Sequence, residues 1–365
     1  MVKRNASVDL FRIIATLFVV MLHVLDKGGI LTNTSPDNAK YWVAWFLYIL
    51  TYCAVNCFAL ISGYVMVNKD VKAKSIINLW FQVIFYSVLL AAIVFVLQPA
   101  SRSLGNLLEA VLPVMGKQWW YISSYFALFF FIPFLNQAVN HISQQTYRKA
   151  LIAILIGACC IDSYVQRNAF DLRGGYSAIW LIVLYLFGAY IRKYNLQEKI
   201  TAGKSLLGFV AMLAITFGSK FVIHFATSRF LGAPRFDNRL VVYTSITIVF
   251  AAIFLFLFCL NLKISAGSEK WIRFFAPATL GVYLIHVHQL VFDYYIQNSS
   301  VWCTNYSLPI MLAGIFGMTI GIYLVCSLLD LLRIQLFKLL RVHKWSEWIA
   351  KQCHRVYLKL FPAQS

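Results

Sequence analysis

The sequence predicts an all-α protein, a polytopic membrane helix bundle of about ten transmembrane helices with both termini in the cytoplasm. Its composition is the first reason, because 61% of the 365 residues are hydrophobic and only 12% are charged. That is about half the charged fraction of an average soluble domain. The mean hydropathy of +0.73 is the second reason, and long apolar stretches along the whole chain are the third. An ordinary water-soluble domain is therefore excluded.

The apolar stretches set the predicted spans, since about 20 residues cross roughly 30 Å of hydrocarbon. We expect spans at about Leu10–Lys27, Tyr41–Val67, Ser75–Leu97, Gln118–Val139, Ala150–Val165, Ser177–Ile191, Ser205–Phe225, Leu240–Leu260, Phe274–Gln297 and Leu308–Leu329. The fifth and sixth are short, which leaves counts of nine and eleven open. The first contains Arg12 and His23 and lacks a small-residue cleavage site after it, so we expect no cleavable signal peptide.

The basic residues indicate how the bundle is oriented. The chain has 32 Lys and Arg against 13 Asp and Glu, a formal net charge of +19, which in a soluble protein would suggest nucleic-acid binding. With the N-terminus in the cytoplasm, most Lys and Arg residues fall on the inner side, from Lys3 and Arg4 to a basic tail. We interpret the excess as membrane orientation and expect no nucleic-acid partner.

One transmembrane domain is predicted over residues 1–330, followed by a basic amphipathic cytoplasmic tail over residues 331–365. The tail alternates apolar and basic residues at helical spacing, so we expect an anchoring helix in the inner headgroup layer, with Trp345 and Trp348 at the interface. A partner-binding role is the alternative. The eight Cys residues lie mostly within apolar stretches and lack metal-ligand spacing, so no metal site is expected.

Ionisable residues within the first span are candidates for function, because lipid makes their burial costly. Arg12 and His23 are 11 residues apart, which brings them to within about 20° of one helix face and roughly 16 Å apart along the axis. Asp9 lies one turn before Arg12 and can pair with it. Asp26 lies one turn after His23 and could orient its imidazole, as in a catalytic dyad. A snorkelling arginine and an interhelical hydrogen bond of the histidine are the alternatives.

With these residues the opening NASVDLFRIIATLFVVMLHV resembles the acyltransferase 3 family of integral membrane O-acyltransferases. The signature of that family is an Arg, ten residues and a His in the first span, carried here by Arg12 and His23. Three further segments resemble family motifs in the same order: CFALISGYVM with Ser62, Gly63 and Tyr64, QWWYISSYFALFFFIPFL at the fourth span, and LGVYLIHVH with Tyr283 and His286. The likeness covers about the first 330 residues.

The resemblance implies an enzyme that moves an acyl group, most often acetyl, from cytoplasmic acyl-CoA to a hydroxyl of a cell-envelope glycan. O-antigen, capsule and exopolysaccharide are such acceptors, and the enzyme would lie in the bacterial inner membrane. Acetyl-CoA or another acyl-CoA is then a substrate, and no tightly bound cofactor is expected. The partners would be acyl-CoA, the glycan or a lipid-linked saccharide, and membrane lipids.

For the acceptor, the resemblance implies that His23 removes a proton from the hydroxyl or briefly carries the acyl group. His286 is the second candidate catalytic residue, with Asp26 as the orienting carboxylate of His23 and Asp293 as a possible partner of His286. His288 is expected to face away from the site.

For the donor, the family commonly places two arginines four residues apart at the start of the third span, where this chain has Lys74 and Asn78. We expect Arg12, Lys74 and Asn78 to hold the donor phosphates, with Asp9 beside Arg12 and with help from Lys72 or Lys69. Four residues of the motifs are expected to line the pocket: Ser62, Gly63, Tyr64 and Tyr283.

Two other functions fit a polytopic bundle. A membrane transporter or flippase of an envelope precursor would show discontinuous helices in corresponding positions of two halves and coupling carboxylates near the midplane. The carboxylates of this chain lie mostly at span ends, which favours the enzyme. The third possibility is a membrane module that captures a substrate for a separate partner enzyme.

Overall fold

The computed structural model of the protein describes residues 5–165, 168 and 170–360. These residues form helices and no strand, which confirms the predicted all-α class. Lys3 and Arg4 lie outside the described residues, as does the end of the predicted tail, residues 361–365. The α-helices are α1 (Ala6–Leu25), α2 (Ala39–Thr51), α3 (Ala54–Met66), α4 (Ala73–Leu97), α5 (Leu104–Val111), α6 (Trp120–His141), α7 (Gln144–Ile154), α8 (Ala178–Lys193), α9 (Leu196–Lys199), α10 (Ala202–Leu231), α11 (Ile246–Leu260), α12 (Ala266–Phe275), α13 (Thr279–His286), α14 (Gln289–Val291), α15 (Leu308–Leu339) and α16 (Val342–Leu360).

Among the described residues, six helical segments are long and apolar enough to cross a membrane. They are Ala6–Leu25, Ala39–Met66, Ala73–Leu97, Trp120–His141, Ala202–Leu231 and Leu308–Leu339. A seventh crossing is possible at Ala266–His286 and Gln289–Asn305, a helix pair bent by 67°. The chain is thus a multi-pass membrane protein.

The other predicted spans coincide with shorter or irregular helices. The helix α7 ends at Ile154 and continues as two π-helical stretches to Val165, while α8 has 16 residues and α11 has 15. At about 1.5 Å per residue, α8 and α11 are shorter than the roughly 30 Å hydrocarbon layer. The count of ten spans and the cytoplasmic placement of both termini stay predictions.

The helix α1 lies at the centre of the bundle. Its N-cap Asn5 accepts hydrogen bonds from the backbone N–H groups of Ser7 and Val8, which satisfies donors that a helix start leaves open. It packs against α2, α3, α11, α13 and α15, and Phe11 stacks on Phe256 with ring centroids 4.6 Å apart. The polar residues of α1 are therefore held among neighbouring helices.

Small residues bring α3 and α8 into backbone contact. A Cβ atom on Gly63 would lie 1.9 Å from the carbonyl oxygen of Tyr185, and one on Gly188 would lie 2.0 Å from that of Leu60. Since no side chain fits at such distances, both glycines are required by the packing of these two helices.

A buried ion pair fixes α13 against α4 and α15. The Asp330 carboxylate accepts hydrogen bonds from Tyr86 at 2.7 Å and from two nitrogens of Arg333 at 2.8 and 2.9 Å. Gly281 of α13 lies against this carboxylate, where a Cβ atom would come within 2.0 Å of the Asp330 carboxyl carbon. The helix that carries Tyr283 and His286 is thus held close to α15.

The tail forms the helix α16, which packs on α4. Ser346 donates a hydrogen bond of 2.6 Å to Asn78, and Lys74 forms an ion pair with Glu347. Trp345 and Trp348 are exposed, as an interfacial helix requires. Its position in the headgroup layer stays a prediction.

Candidate active site

A cavity of about 1170 Å³ runs along α1. Arg12 and Ser62 line one end, together with Lys69, Lys72 and Ser75. Asp26, Lys27 and Lys117 line the other end, and His23 lies between the two. Because Arg12 and Asp26 are 14 residues apart in the chain, the cavity extends over about 21 Å of helix.

His23 and His286 form a hydrogen-bonded pair beside this cavity. The Nδ1 atom of His23 lies 3.1 Å from Nε2 of His286, and Nδ1 of His286 lies 2.6 Å from the carbonyl oxygen of Val282. A carbonyl only accepts, so Nδ1 of His286 carries the hydrogen and its Nε2 is the acceptor. Nδ1 of His23 then donates, which leaves the lone pair of the neutral ring on Nε2.

The cavity meets His23 and not His286. His23 is one of the lining residues, and the ring of Phe292 packs edge-on against it at 5.2 Å between centroids. His286 is 2% exposed and lies behind His23. The arrangement therefore presents the imidazole of His23 to a ligand in the cavity, while His286 contacts that ring from outside the cavity.

The carboxylates predicted to orient the histidines do not do so. His286 occupies Nδ1 of His23, and no hydrogen bond joins Asp26 to His23 within the described residues. Asp293 accepts instead from the Gln289 amide at 2.9 and 3.0 Å. Contact between these two histidines could not be predicted from the sequence, because 263 positions separate them.

His288 faces a different network, as expected. Its Nε2 atom lies 2.6 Å from the Gln118 amide and 3.2 Å from the carbonyl oxygen of Ser87. Two residues along the chain turn a helical side chain by about 200°, and the chain also breaks between α13 and α14. His286 and His288 are therefore directed to separate partners.

At the opposite end of the cavity, Arg12 donates a hydrogen bond of 2.8 Å to Asp9. Asp9 is fully buried and does not line the cavity, whereas Arg12 does. Lys69 and Lys72 also line the cavity, as does the acidic Asp70 between them. Arg12, Lys69 and Lys72 are the residues that could hold an anionic ligand.

The predicted donor ligands Lys74 and Asn78 are directed elsewhere. They share a face of α4 because they are four residues apart, and that face packs on α16 through Glu347 and Ser346. Ser75 lies about 100° around the helix and faces the cavity. Lys72 lines the cavity, and Lys74, which the sequence pattern predicted there, does not.

Two of the four predicted pocket residues line the cavity, and the other two do not. Ser62 and Tyr283 line the cavity. Gly63 faces α8, in contact with the Tyr185 carbonyl, and Tyr64 is buried between α8 and α11. Consecutive helical residues point about 100° apart, so a motif of adjacent residues cannot face one cavity as a whole.

Tyr121 and Tyr283 line the cavity, and their ring centroids lie 6.2 Å apart. Their hydroxyl groups are buried, and neither forms a hydrogen bond with another side chain of the described residues. Buried polar groups are normally paired, so these two hydroxyls are candidate donors to a ligand in the cavity. Tyr121 was not predicted, although the aromatic segment QWWYISSY at the start of α6 was noted.

No group of three or more His, Cys, Asp or Glu side chains in the described part of the chain is arranged to hold a metal ion. The site has instead a cationic end, a single accessible imidazole and unpaired hydroxyls in one cavity of a membrane bundle. Such a combination of groups is typical of an enzyme site within a membrane helix bundle.

The family model described as an acyltransferase domain, that of the acyltransferase 3 family, matches residues 5–328, nearly the whole chain. The chain belongs to this family and is an acyltransferase, which confirms the resemblance seen in the sequence. No curated protein and no solved structure shows significant similarity to it.

Proposed function

We propose that the protein transfers an acetyl group from cytoplasmic acetyl-CoA, or another acyl group from its CoA ester, to a hydroxyl of a cell-envelope glycan. O-antigen, capsule and exopolysaccharide are the acceptors that we propose, in the bacterial inner membrane. The observation that carries the proposal is the cavity, which joins the cations beside Arg12 to the base His23. A donor made inside the cell and an acceptor exported from it require such a continuous site.

The donor would lie at the Arg12 end. Coenzyme A carries several phosphate charges, and Arg12, Lys69 and Lys72 supply matching cations. The guanidinium of Arg12 has five N–H donors, so it can keep its bond to Asp9 while it binds a phosphate. Asp9 also compensates the burial of Arg12 when no donor is bound.

The reaction would take place at His23. Nε2 removes the proton of the acceptor hydroxyl while that oxygen attacks the thioester carbonyl carbon. The carbon–sulfur bond then breaks, and the sulfur leaves with the proton from His23 as the thiol of free CoA. Transfer through an acyl group carried on Nε2 would use the same atom in two steps.

Two hydroxyl groups could stabilise the negative charge that develops on the carbonyl oxygen. Tyr121 and Tyr283 line the cavity and have no hydrogen-bond partner within the described residues. Donors already in place in a water-poor site lower the barrier because they need little reorganisation. We propose that the two tyrosines form the oxyanion hole.

Mass spectrometry of envelope glycans from cells with and without the gene tests this function. We expect an acyl-sized mass difference in one polymer, restored by the wild-type gene and by His141→Ala but not by His23→Ala. His141 is an exposed histidine bonded to the carbonyl of Gln137, which makes it a matched control. Identical glycans in both strains, or full restoration by His23→Ala, would defeat the proposal.

A further inference from the structure

Three aromatic rings form a continuous surface at the Asp26 end of the cavity. The rings of Trp120 and Tyr176 lie 4.6 Å apart between centroids, and those of Tyr176 and Tyr243 lie 5.1 Å apart. All three residues line the cavity. We call Trp120, Tyr176 and Tyr243 the aromatic cup.

The rings come from three separate parts of the chain and differ in exposure. Trp120 begins α6, and the other two lie in the loops before α8 and α11. Tyr243 is 3% exposed, but Tyr176 is 46% exposed although it is packed between the other rings. Tyr176 therefore combines ring contacts on two sides with a large accessible surface, and it is one of the lining residues of the cavity.

Polar groups surround the cup. Asp26, Lys27 and Gln289 line the same end of the cavity. Burial raises the pKa of the Asp26 carboxyl, and the neighbouring Lys27 opposes that rise. The negative charge of Asp26 also contributes, after burial, to the raised pKa of Tyr176, which indicates that the carboxylate lies close to the cup.

This combination matches the chemistry of a sugar. A pyranose ring has apolar C–H faces that pack on aromatic rings and hydroxyls that donate to a carboxylate. A fatty acyl chain could pack on the rings but would offer no hydrogen bond to the carboxylate of Asp26 or to the amide of Gln289. Asp26 connects the cup to His23, because it acts on Tyr176 and follows His23 by three residues, about 4.5 Å along the helix.

We propose that the aromatic cup, with Asp26, is the binding subsite for the saccharide acceptor. The sugar ring packs on Trp120 and Tyr176, one hydroxyl donates to Asp26, and a neighbouring hydroxyl reaches Nε2 of His23. This inference rests on the proposed function, to which it adds the place and the chemistry of acceptor binding. It also gives Asp26 a role in binding in place of the predicted role in orienting His23.

Binding without any acyl donor tests the subsite. The full chain in lipid nanodiscs is titrated with methyl β-D-glucopyranoside and methyl β-D-galactopyranoside, and saturation-transfer NMR records the sugar ring protons. We expect transfer to the ring C–H protons of at least one glycoside. Trp120→Ala and Tyr176→Ala should weaken binding about fivefold to tenfold, and Tyr176→Phe should keep it, because the ring is the contact.

Tyr306→Ala is the matched control. Tyr306 is 51% exposed and lies in the loop before α15, outside the residues that line the cavity. Its variant should bind the sugars as the wild type does, and size-exclusion profiles would show that all variants fold. Tyr176 is exposed enough for its substitution to be tolerated even if Trp120→Ala misfolds.

The result separates the subsite from the proposed function. Sugar binding that depends on the cup supports the subsite even if no acyl transfer is found. Glycan acylation with unchanged binding in Tyr176→Ala overturns the subsite and leaves the function intact. No transfer to either glycoside in the wild type, or transfer only to lipid methylene protons, also overturns it.

Discussion

Two acceptors in series fix which nitrogen of His23 can take a proton. The carbonyl of Val282 holds the hydrogen of His286 on Nδ1, and Nε2 of His286 then accepts from His23. A histidine whose second nitrogen is held in this way keeps one tautomer and one ring orientation. The base is therefore prepared before the substrate binds.

This relay predicts graded effects of substitution at His286. His286→Ala should lower kcat about 100-fold with little change in KM for acyl-CoA, because the tautomer and orientation of His23 are no longer fixed. His286→Gln offers an amide oxygen to Nδ1 of His23 and should recover part of the loss. Steady-state kinetics with the acceptor found by mass spectrometry measure both, and equal losses in the two variants would contradict the relay.

A second prediction at this scale concerns the Arg12 end of the cavity. Lys72 lines the cavity, and Lys74, which the sequence pattern predicted there, does not. Arg12→Ala and Lys72→Ala should each raise KM for acyl-CoA about tenfold, the loss of one charge-assisted contact. Lys74→Ala is the control, because Lys74 pairs with Glu347 on the face of α4 that packs on α16. Titration of initial rates against acyl-CoA checks this, and an effect of Lys74→Ala as large as that of Lys72→Ala would refute the assignment.

At the scale of the helices, backbone contact and buried polar pairs place the site. The glycines of α3 and α8 let the two helices touch, and this sets the position of Ser62 on the cavity wall. Asp330 and Arg333 fix α13, so that His286 meets α1. The pair of His23 and His286 depends on these helix contacts even though no residue of the contacts faces the cavity.

Gly63→Ala tests whether the close contact between α3 and α8 stabilises the fold. The added methyl group would lie 1.9 Å from the Tyr185 carbonyl oxygen, so α3 and α8 must separate, at a cost of about 1–3 kcal/mol. Gly218→Ala is the matched control, because nothing lies within 4 Å of a Cβ atom there. Thermal unfolding in detergent should show a lower Tm for Gly63→Ala only. An unchanged Tm with a changed KM would instead favour a pocket role for Gly63.

At the scale of the whole molecule, the prediction concerns its orientation in the membrane. The positive-inside rule predicts that α16 is cytoplasmic, and the proposed path from donor to acceptor requires the Arg12 end of the cavity to face the same side. Lys72 of that end and Lys74, which contacts α16, are neighbours in the chain. The orientation of α16 therefore also fixes the orientation of the site.

A native cysteine reports this orientation. Cys353 in α16 is an exposed free thiol, whereas the other free thiols of the described residues are buried or half-buried. A membrane-impermeant maleimide should label it only after right-side-out membrane vesicles are opened. Tyr306→Cys should be labelled in intact vesicles, and Cys353→Ser should remove the signal that opening produces. Labelling of Cys353 in intact vesicles would reverse the predicted topology.

The sequence by itself determined that the chain is an all-helical membrane protein, and its ordered motifs indicated the acyltransferase 3 family. Both depend on local information, since apolar length identifies membrane helices and the spacing of Arg12 and His23 fixes their common face. Among the predicted site residues, Arg12, His23, Asp26, Ser62 and Tyr283 line the cavity.

Only the tertiary structure decided the partners of these residues. It places His286 and not Asp26 against Nδ1 of His23, and among the lining residues of the cavity it has Lys72 and Tyr121 but not Lys74, Gly63 or Tyr64. The physical reason is that adjacent helical residues point about 100° apart. Which of those faces meets the cavity depends on helices far away in the chain, and a motif does not contain that information.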